Sequence, residues 1–423
     1  MGIMKRLLTA LLVIAALIPC IGVFVDDPAI DPSEIPVITP TDPEPVIDPE
    51  PEPEPQPPVV EIIEIKTISP EKDRTFTLVN DEIKEFLRDY ERGIGQKYYQ
   101  YQTDHFTGNQ TVHLQWMCSK EPEYSVVYVS RYPDMSRRDE YLSYDNSLYI
   151  DNLYTGSDYY WQVYAVYDGF SVRSEVSVFH TADTPRIVLI DGVSNTRDVG
   201  GYLTESGVRI RQGLLYRTGT VDGVNDTGRK QATQQLHVKT ELDLRDAGES
   251  GARLEASPLG EPVTYVNIPG VLYSNILKEE NYETACRTFA LFADPSNYPI
   301  LYHCQAGRDR TGTVTIILLG LCGVPEETIY KEYELAFFSR AGTEMDEGGR
   351  EVEILLNYVS TMLERLGKFG DEDATLAGCC REYLLTVGLT PEQIEMIRHI
   401  LTEESDVVIP GITVDAVIPE VRE

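Results

Sequence analysis

The chain has 423 residues, which is enough for two or three domains of ordinary size. Its formal net charge of -33 argues against nucleic acid as a partner, because phosphate backbones are bound by basic surfaces. Its seven cysteines include neither a CxxC pair nor a Cys/His cluster with the spacing of zinc ligands, so the sequence predicts no metal site and no cofactor.

The N-terminus is typical of an export signal. Lys5 and Arg6 precede a nearly uncharged apolar run at 7–18, which has the size of a signal-peptide core. Three alternatives stay open for residues 1–25: cleavage as a signal peptide, lipidation at Cys20, or retention as an uncleaved membrane anchor. Each of them predicts that the rest of the chain is exported, either secreted or attached to the cell surface.

Two segments have the composition of unfolded chain. Residues 26–58 consist mostly of Pro, Asp and Glu, and like charges and prolines favour an extended spacer over a packed core. Residues 404–423 are acidic and contain Pro and Gly, so we expect a loose tail. The folded part therefore begins near residue 59 and ends near residue 403.

Residues 59–184 are expected to form an all-β sandwich with a short helical lead-in. The lead-in is a helix at 81–91, for which Asp81 is the predicted N-cap. From residue 111 onward, apolar side chains alternate with polar ones, as half-buried strands require, and segments rich in Gly, Asp and Ser separate the runs.

Part of this segment resembles a fibronectin type III domain. Residues 153–159 are similar to the approach to that domain's sixth strand, with Tyr159 in the place of the corner tyrosine and Trp116 in that of the core tryptophan. The resemblance implies a binding or spacing module, and a domain that only positions its neighbour is an equal alternative.

Residues 185–403 have an α/β pattern. Alternating strands and helices predict a mostly parallel central sheet with helices on both faces. The expected strands are 186–190, 214–216, 238–244, 263–268 and 300–302, and the expected helices are 226–236, 282–292, 311–321, 351–366 and 391–401.

The strongest chemical signal is Cys304 followed after five residues by Arg310, between a predicted strand and a predicted helix. A loop at a helix N-terminus presents free N–H groups and the positive end of the dipole to an anion. Gly307 allows the backbone to bend, and the fork of Arg310 suits two phosphate oxygens. The same field lowers the pKa of a cysteine thiol, so Cys304 is the predicted nucleophile. The remaining predicted substrate-binding residues of the loop are His303, Gln305, Ala306, Arg308 and Thr311.

Three of these loop residues carry more specific expectations. The Thr311 hydroxyl is expected to donate to the sulfur, and His303 to orient the loop through hydrogen bonds. Arg308 is expected to add a second positive charge at the mouth of the site.

Phosphoryl transfer through a cysteine also needs a group that protonates the leaving oxygen and then activates water. Asp309 lies inside the loop and is the first candidate, with a structural carboxylate as its alternative. Asp294, which precedes the last predicted strand, is a weaker candidate.

Residues 185–401 resemble the atypical bacterial tyrosine phosphatases that carry a HCxxGKDRT loop, some of which also act on phosphoinositides. Besides the loop at 303–311, residues 195–202 resemble the family's NFRDxGGY motif and residues 215–219 its LYRSG segment. Residues 243–249 resemble its DLRxxxE segment, and a C-terminal helix pair also matches. These motifs contain the predicted supporting residues Arg197, Asp198, Arg217, Asp243 and Arg245, for which a purely structural role is the alternative.

The resemblance implies that Cys304 is the nucleophile, that Arg310 binds phosphate and that Asp309 is the acid. The family usually has Lys where this chain has Arg308, and that departure puts activity on lipid phosphates in doubt. We therefore expect a phosphomonoesterase acting mainly on phosphotyrosine in proteins, with phosphoinositides or inositol phosphates as the alternative substrates.

Two other functions stay open, and so does the oligomeric state. Arsenate reduction or sulfur transfer also uses loop cysteines, with Cys286 or Cys322 as candidate resolving thiols. A non-catalytic cell-surface binding protein is the alternative outside enzymes.

Overall fold

A computed structural model describes residues 62–89, 92, 111–183, 185–246, 248–249, 252, 254–339, 350–371 and 374–403. The predicted signal or anchor segment 1–25, the spacer 26–58 and the tail 404–423 lie outside the described residues.

The first half of the described chain contains two sheets. One has three strands in the order β1-β3-β6, and the other has the order β2-β9-β7-β4-β5, with β8 paired to β7. The strands are β1 Ile65–Ser69, β2 Arg74–Phe76, β3 Val112–Cys118, β4 Tyr124–Ser130, β5 Arg138–Ser143, β6 Ser147–Ile150, β7 Asp158–Tyr167, β8 Phe170–Arg173 and β9 Ser177–Thr181.

Side chains from both sheets share one hydrophobic cluster, which includes Trp116, Trp161 and Phe179. Burial alternates along β7, as a strand with one covered face requires. The Tyr159 hydroxyl accepts a hydrogen bond of 2.6 Å from the backbone N–H of Tyr154. The likeness to fibronectin type III stays a prediction.

A short helix, α1 (Asp81–Arg88), lies between β2 and β3, and it ends before residue 91. It is therefore not the expected lead-in, because β1 and β2 already belong to the two sheets before the helix begins. Its N-cap is Asn80 and not the predicted Asp81, because the Asn80 side chain accepts from the N–H of Ile83 while its own backbone is extended. Asp81 is the first helical residue, where its charge suits the positive end of the helix dipole.

Helix α1 packs against the second half of the chain. Its buried residues Ile83 and Phe86 share a hydrophobic cluster with Ile187, Leu335 and Phe338. The rings of Phe86 and Phe338 meet edge to face with 5.5 Å between centroids. The two halves therefore share a core at this point.

The second half is built on a five-stranded sheet of order β10-β11-β14-β12-β13, in which β10 runs antiparallel and the other neighbours run parallel. The α/β prediction is confirmed, with a sheet of mixed orientation. Because β11, β12 and β14 are parallel neighbours, their carboxyl ends meet at one edge. The strands are β10 Arg197–Asp198, β11 Leu215–Thr218, β12 Thr240–Asp243, β13 Thr264–Asn267 and β14 Ile300–His303.

Helices complete this half. Helix α4 (Asp309–Leu321) is almost completely buried, since its residues from Thr311 to Leu321 are all covered. None of the helices in the described part of the chain is long and apolar enough to cross a membrane. The α-helices are α2 Asp226–Lys230, which continues as a π-helix at Gln231–Gln235, α3 Tyr282–Phe292, α4 Asp309–Leu321, α5 Glu326–Glu334, α6 Arg350–Leu366, α7 Leu376–Thr386 and α8 Pro391–Leu401, and short 3-10 helices span Tyr273–Leu277, Glu279–Asn281, Pro295–Asn297, Leu335–Phe338 and Gly367–Phe369.

The predicted strand at 186–190 was wrong. Ile187 forms a single bridge to Arg197, and the rest of the run is a loop. Its apolar side chains are nevertheless buried, with Val188 and Ile190 in a cluster under the sheet. An apolar run can thus fill a core without joining a ladder.

Candidate active site

Cys304 lies directly after β14, and α4 begins at Asp309, two residues earlier than predicted. Between them the backbone bends sharply at Gly307, whose φ is +68°. A Cβ at Gly307 would lie 2.1 Å from the carbonyl oxygen of Thr218, so this position requires glycine. The strand, bend and helix therefore bring the cysteine to the N-terminus of α4.

The Cys304 side chain is almost completely covered, with 2% of the residue exposed. Burial opposes ionisation of its thiol, but the hydroxyl and backbone N–H of Thr311 and the charge of Arg310 together lower the thiol pKa. The Thr311 hydroxyl is buried, and its distance and angles satisfy no hydrogen bond with the described residues. The expected donation of this hydroxyl to the sulfur therefore stays a prediction.

Arg310 forms a two-point ion pair with Glu249. The Arg310 Nη1 and Nη2 atoms lie 2.5 and 2.7 Å from the two Glu249 oxygens, and Nη1 also donates to the carbonyl of Leu244 at 3.2 Å. The hydrogen bond to Glu249 raises the pKa of Arg310, which therefore stays charged. Only 12% of the Arg310 side chain is exposed, so its direction is fixed.

Cys304 and Arg310 open onto one cavity of about 480 Å³. Its charged lining residues within the described chain are three carboxylates and one guanidinium, and one wall is apolar. The lining residues are Asp246, Glu249, Gly270, Val271, Leu272, Asn275, Cys304, Gln305, Ala306, Asp309 and Arg310.

Asp309 contributes to this cavity, and its carboxylate is heavily engaged. Tyr273 and Tyr333 both donate to its Oδ1 atom, the latter at 3.3 Å. Arg308 donates from Nε to Oδ1 at 3.0 Å and from Nη2 to Oδ2 at 3.3 Å.

The position of Arg308 corrects the expectation of a second cation at the mouth. Its guanidinium is buried against Asp309 and does not belong to the cavity lining. Asp294 is also absent from the lining, because its carboxylate caps the 3-10 helix Pro295–Asn297 by accepting from the N–H of Ser296. Asp294 is therefore not placed to serve the reaction.

His303 lies behind the loop, fully buried. Its Nε2 is 3.0 Å from Glu241, and its Nδ1 is 3.1 Å from the carbonyl oxygen of Cys304. Burial disfavours the charged imidazole, but the hydrogen bond and charge of Glu241 outweigh it and raise the pKa of His303. In its protonated form His303 donates to both acceptors and ties the loop to the sheet.

Arg197 and Arg217 share one buried acceptor, Glu332 of α5. Arg197 Nε lies 2.7 Å from Oε1, and Arg217 Nη1 lies 2.6 Å from Oε2. Arg217 also donates from Nη2 to the carbonyl of Gly307 at 2.8 Å, and Asn195 donates to the carbonyl of Ala306 at 3.0 Å. This group fixes the rear of the loop.

The other supporting residues act at a greater distance. Asp198 pairs with Arg186 at 2.7 Å, whereas Arg245 pairs with Asp243 at 2.9 Å and with Asp222 at 2.6 Å. None of the five predicted supporting residues belongs to the described cavity lining. Their contacts are those of structural residues.

Several partners in this arrangement were missed by sequence reasoning. Glu249 ends the motif at 243–249, and its fixed spacing from Asp243 is the one local signal for its role. The others have no local signal because they approach the loop from distant segments: Glu241, Tyr273, Glu332 and Tyr333. Among the described residues, no group of three His, Cys, Asp or Glu side chains could hold a metal ion.

The comparisons with known proteins concern this half of the chain. The family model described as "Tyrosine phosphatase family" matches residues 188–403. A protein of Cupriavidus necator named "Putative tyrosine-protein phosphatase" is 28% identical over 168 residues, which are 34% of this chain and 60% of that protein. A "Tyrosine-protein phosphatase" of Nostoc commune is 26% identical over 156 residues, 32% of this chain and 52% of its own length. The chain thus spans between half and two thirds of the length of these relatives.

Two solved structures of one yeast protein are also similar. The core catalytic domain of the PP-IP phosphatase SIW14 from S. cerevisiae, in complex with citrate, has 16% identity and a TM-score of 0.25, covering 40% of this chain and 91% of that one. A second structure of the same catalytic core has 15% identity and a TM-score of 0.23, covering 41% and 97%. Because the family model matches half of the chain, this chain belongs to the tyrosine phosphatase family.

Proposed function

We propose that this protein is a phosphatase that hydrolyses phosphotyrosine in proteins or peptides through a cysteinyl-phosphate intermediate. The observation that carries the proposal is the pairing of a thiol of lowered pKa with a fixed guanidinium at one cavity, at the N-terminus of a buried helix. Cys304 supplies the nucleophile, and Arg310 with the loop N–H groups binds the phosphate.

In the first step the Cys304 sulfur forms a bond to phosphorus while the bond from phosphorus to the leaving oxygen breaks. Asp309 gives its proton to that oxygen and becomes a carboxylate. In the second step a water attacks the phosphorus, Asp309 takes one of its protons, and the sulfur leaves as a thiolate. Free phosphate and the starting enzyme result.

The cavity supports an aromatic monophosphate better than a substrate with several phosphates. Val271 and Leu272 offer an apolar wall to a ring. Arg308, which would serve an additional phosphate, is held against Asp309 and away from the lining. Asp246 and Glu249 would repel extra negative charge at the rim.

The proposal extends to the setting of the enzyme. Residues 59–184 are proposed to be a fibronectin type III-like module, supported by the bond between Tyr159 and Tyr154. The signal-like residues 1–25 support export, so that the substrate would be met outside the cytoplasm.

The decisive test is Cys304→Ser in the full chain. Turnover of p-nitrophenyl phosphate should fall to the uncatalysed background while the melting temperature is kept. Cys286→Ser is the matched control, because Cys286 is a half-buried cysteine of α3 outside the cavity, and full activity is expected. Retained turnover in Cys304→Ser would overturn the proposal, and loss in Cys286→Ser would favour a resolving thiol.

Substrate choice is tested with phosphotyrosine peptides, phosphoinositides and inositol phosphates assayed side by side. We expect the highest kcat/KM for the peptides. A clear preference for inositol phosphates would reject the substrate assignment and leave the cysteine mechanism intact.

A further inference from the structure

Two phenols converge on the proposed acid. Tyr273 and Tyr333 come from different parts of the chain, the 3-10 helix after β13 and helix α5, and both hydroxyl groups donate to Oδ1 of Asp309. The two hydroxyl oxygens are 3.4 Å apart. Both tyrosines are buried, and neither lines the cavity within the described chain, so they meet Asp309 from the side away from the substrate.

These hydrogen bonds divide the carboxylate into two unequal oxygens. Oδ1 accepts from both phenols and from Arg308 Nε, whereas among the described residues Oδ2 accepts only from Arg308 Nη2, at 3.3 Å. Oδ1 is therefore anchored. Oδ2 keeps lone-pair capacity and is the oxygen that can carry a proton to a leaving group.

Each phenol is itself held firmly. The backbone N–H of Tyr273 donates to Thr313 at 2.8 Å, and its ring stacks on Tyr358 with 4.2 Å between centroids. The ring of Tyr333 packs so closely on Gly312 that a Cβ there would lie 2.9 Å from it. Because both tyrosines are held by packing and hydrogen bonds, they fix the position of the Asp309 carboxylate.

We infer that Tyr273 and Tyr333 are positioning residues, which fix Oδ1 of Asp309 so that Oδ2 faces the leaving oxygen. The inference rests on the proposed function, because it assumes that Asp309 is the general acid. Without the phenols the carboxylate can rotate and form a symmetrical pair with Arg308, which points the acid away from the substrate. Misplacement of a catalytic group by about 1 Å costs up to about 100-fold in rate.

Leaving-group dependence separates positioning from mere structural support. p-Nitrophenolate leaves readily without a proton, whereas the phenolate of phenyl phosphate or of phosphotyrosine needs one. Loss of a positioned acid therefore slows phenyl phosphate far more than p-nitrophenyl phosphate. Damage to the loop slows both equally.

The experiment compares full-length Tyr273→Phe and Tyr333→Phe with the parent on both substrates. For Tyr273→Phe we expect kcat on phenyl phosphate to fall about tenfold, with kcat on p-nitrophenyl phosphate within about twofold and KM unchanged. Tyr333→Phe, which loses the longer bond, should show a smaller fall with the same bias. Tyr358→Phe keeps the ring stack, removes a hydroxyl outside the cavity lining, and should match the parent.

Asp309→Asn tells the two proposals apart, with an expected fall of about 100-fold on phenyl phosphate and a small one on p-nitrophenyl phosphate. If Asp309→Asn shows that bias and neither tyrosine variant does, the positioning role is wrong and the proposed function stands. If Asp309→Asn loses both substrates equally, the acid assignment fails and takes this inference with it. Equal losses on both substrates in the tyrosine variants would reduce the phenols to structural support.

Discussion

Glu332 and Glu249 hold arginines on opposite sides of the catalytic loop, and their surroundings differ. Glu332 is fully buried and serves Arg197 and Arg217 at once, behind the loop. Glu249 lies at the cavity, where 30% of its side chain is exposed, and it pairs with Arg310 while also accepting from the backbone N–H of Asp246. A buried charge needs its partner for the fold to survive, whereas a partly solvated one can be lost at little cost. We therefore expect the rear group, Glu332 with its two arginines, to control stability. The front pair, Glu249 with Arg310, should control activity.

The largest expected effect on stability comes from removing the charge of Glu332 behind the loop. Glu332→Gln leaves two buried guanidinium groups without their shared counter-charge, so the free energy of unfolding should fall by about 3–5 kcal/mol. Urea denaturation followed by circular dichroism measures the change. Glu327→Gln is the matched control on the same helix, because Glu327 pairs with Arg92 at the surface, and a change of less than about 1 kcal/mol is expected. Equal changes in both variants would contradict the comparison.

Loss of the front pair between Glu249 and Arg310 should affect activity more than stability. Glu249→Gln removes the charge that orients Arg310, but the guanidinium still borders the cavity and the new amide oxygen can accept from it, so the free energy of unfolding should fall by only about 1 kcal/mol. kcat/KM for a phosphotyrosine peptide should fall about tenfold, because the fork toward phosphate is no longer fixed. Steady-state kinetics and urea denaturation of the same sample give both numbers. A loss of stability as large as that of Glu332→Gln would erase the distinction.

The smallest expected effect is a change in the pKa of the Cys304 thiol when the Thr311 hydroxyl is removed. Thr311→Val keeps the shape of the side chain but removes the hydroxyl that helps to lower the pKa of Cys304, so that pKa should rise. A higher thiol pKa means less thiolate at a given pH below it, and alkylation by iodoacetamide should require a higher pH. The pH profile of the alkylation rate measures the shift, and Thr288→Val is the control, because Thr288 is a buried threonine of α3 whose hydroxyl donates to the carbonyl of Thr284 and lies outside the cavity lining. An unchanged profile for Thr311→Val would exclude the hydroxyl as a cause.

The sequence was informative where chemistry and local structure coincide. The strand, the loop from Cys304 to Arg310 and the helix after it follow one another in the chain, so their order and type were predictable. The prediction of a strand at 186–190 was wrong because hydrophobicity alone does not distinguish a strand from a buried loop.

The ion pairs were beyond reach for a different reason. Glu332 meets Arg197 across 135 residues, and nothing local marks it as a partner. Arg308 departs from the expected position at the mouth for another reason: its partner Asp309 is the next residue, but adjacency in the sequence does not show to which side of the loop the pair turns. Which carboxylate neutralises which arginine is decided only when the chain is folded.

The packing of Phe86 against Phe338 has a practical consequence for expression of this protein. A fragment limited to the family-matched region 188–403 would expose the hydrophobic side chains of Leu335 and Phe338 to solvent. Such an exposed apolar patch favours aggregation. We therefore expect that residues 59–184 cannot be deleted without destabilising the rest of the chain. Helix α1 completes the core of the family-matched half, so we expect a stable recombinant product to begin before β1.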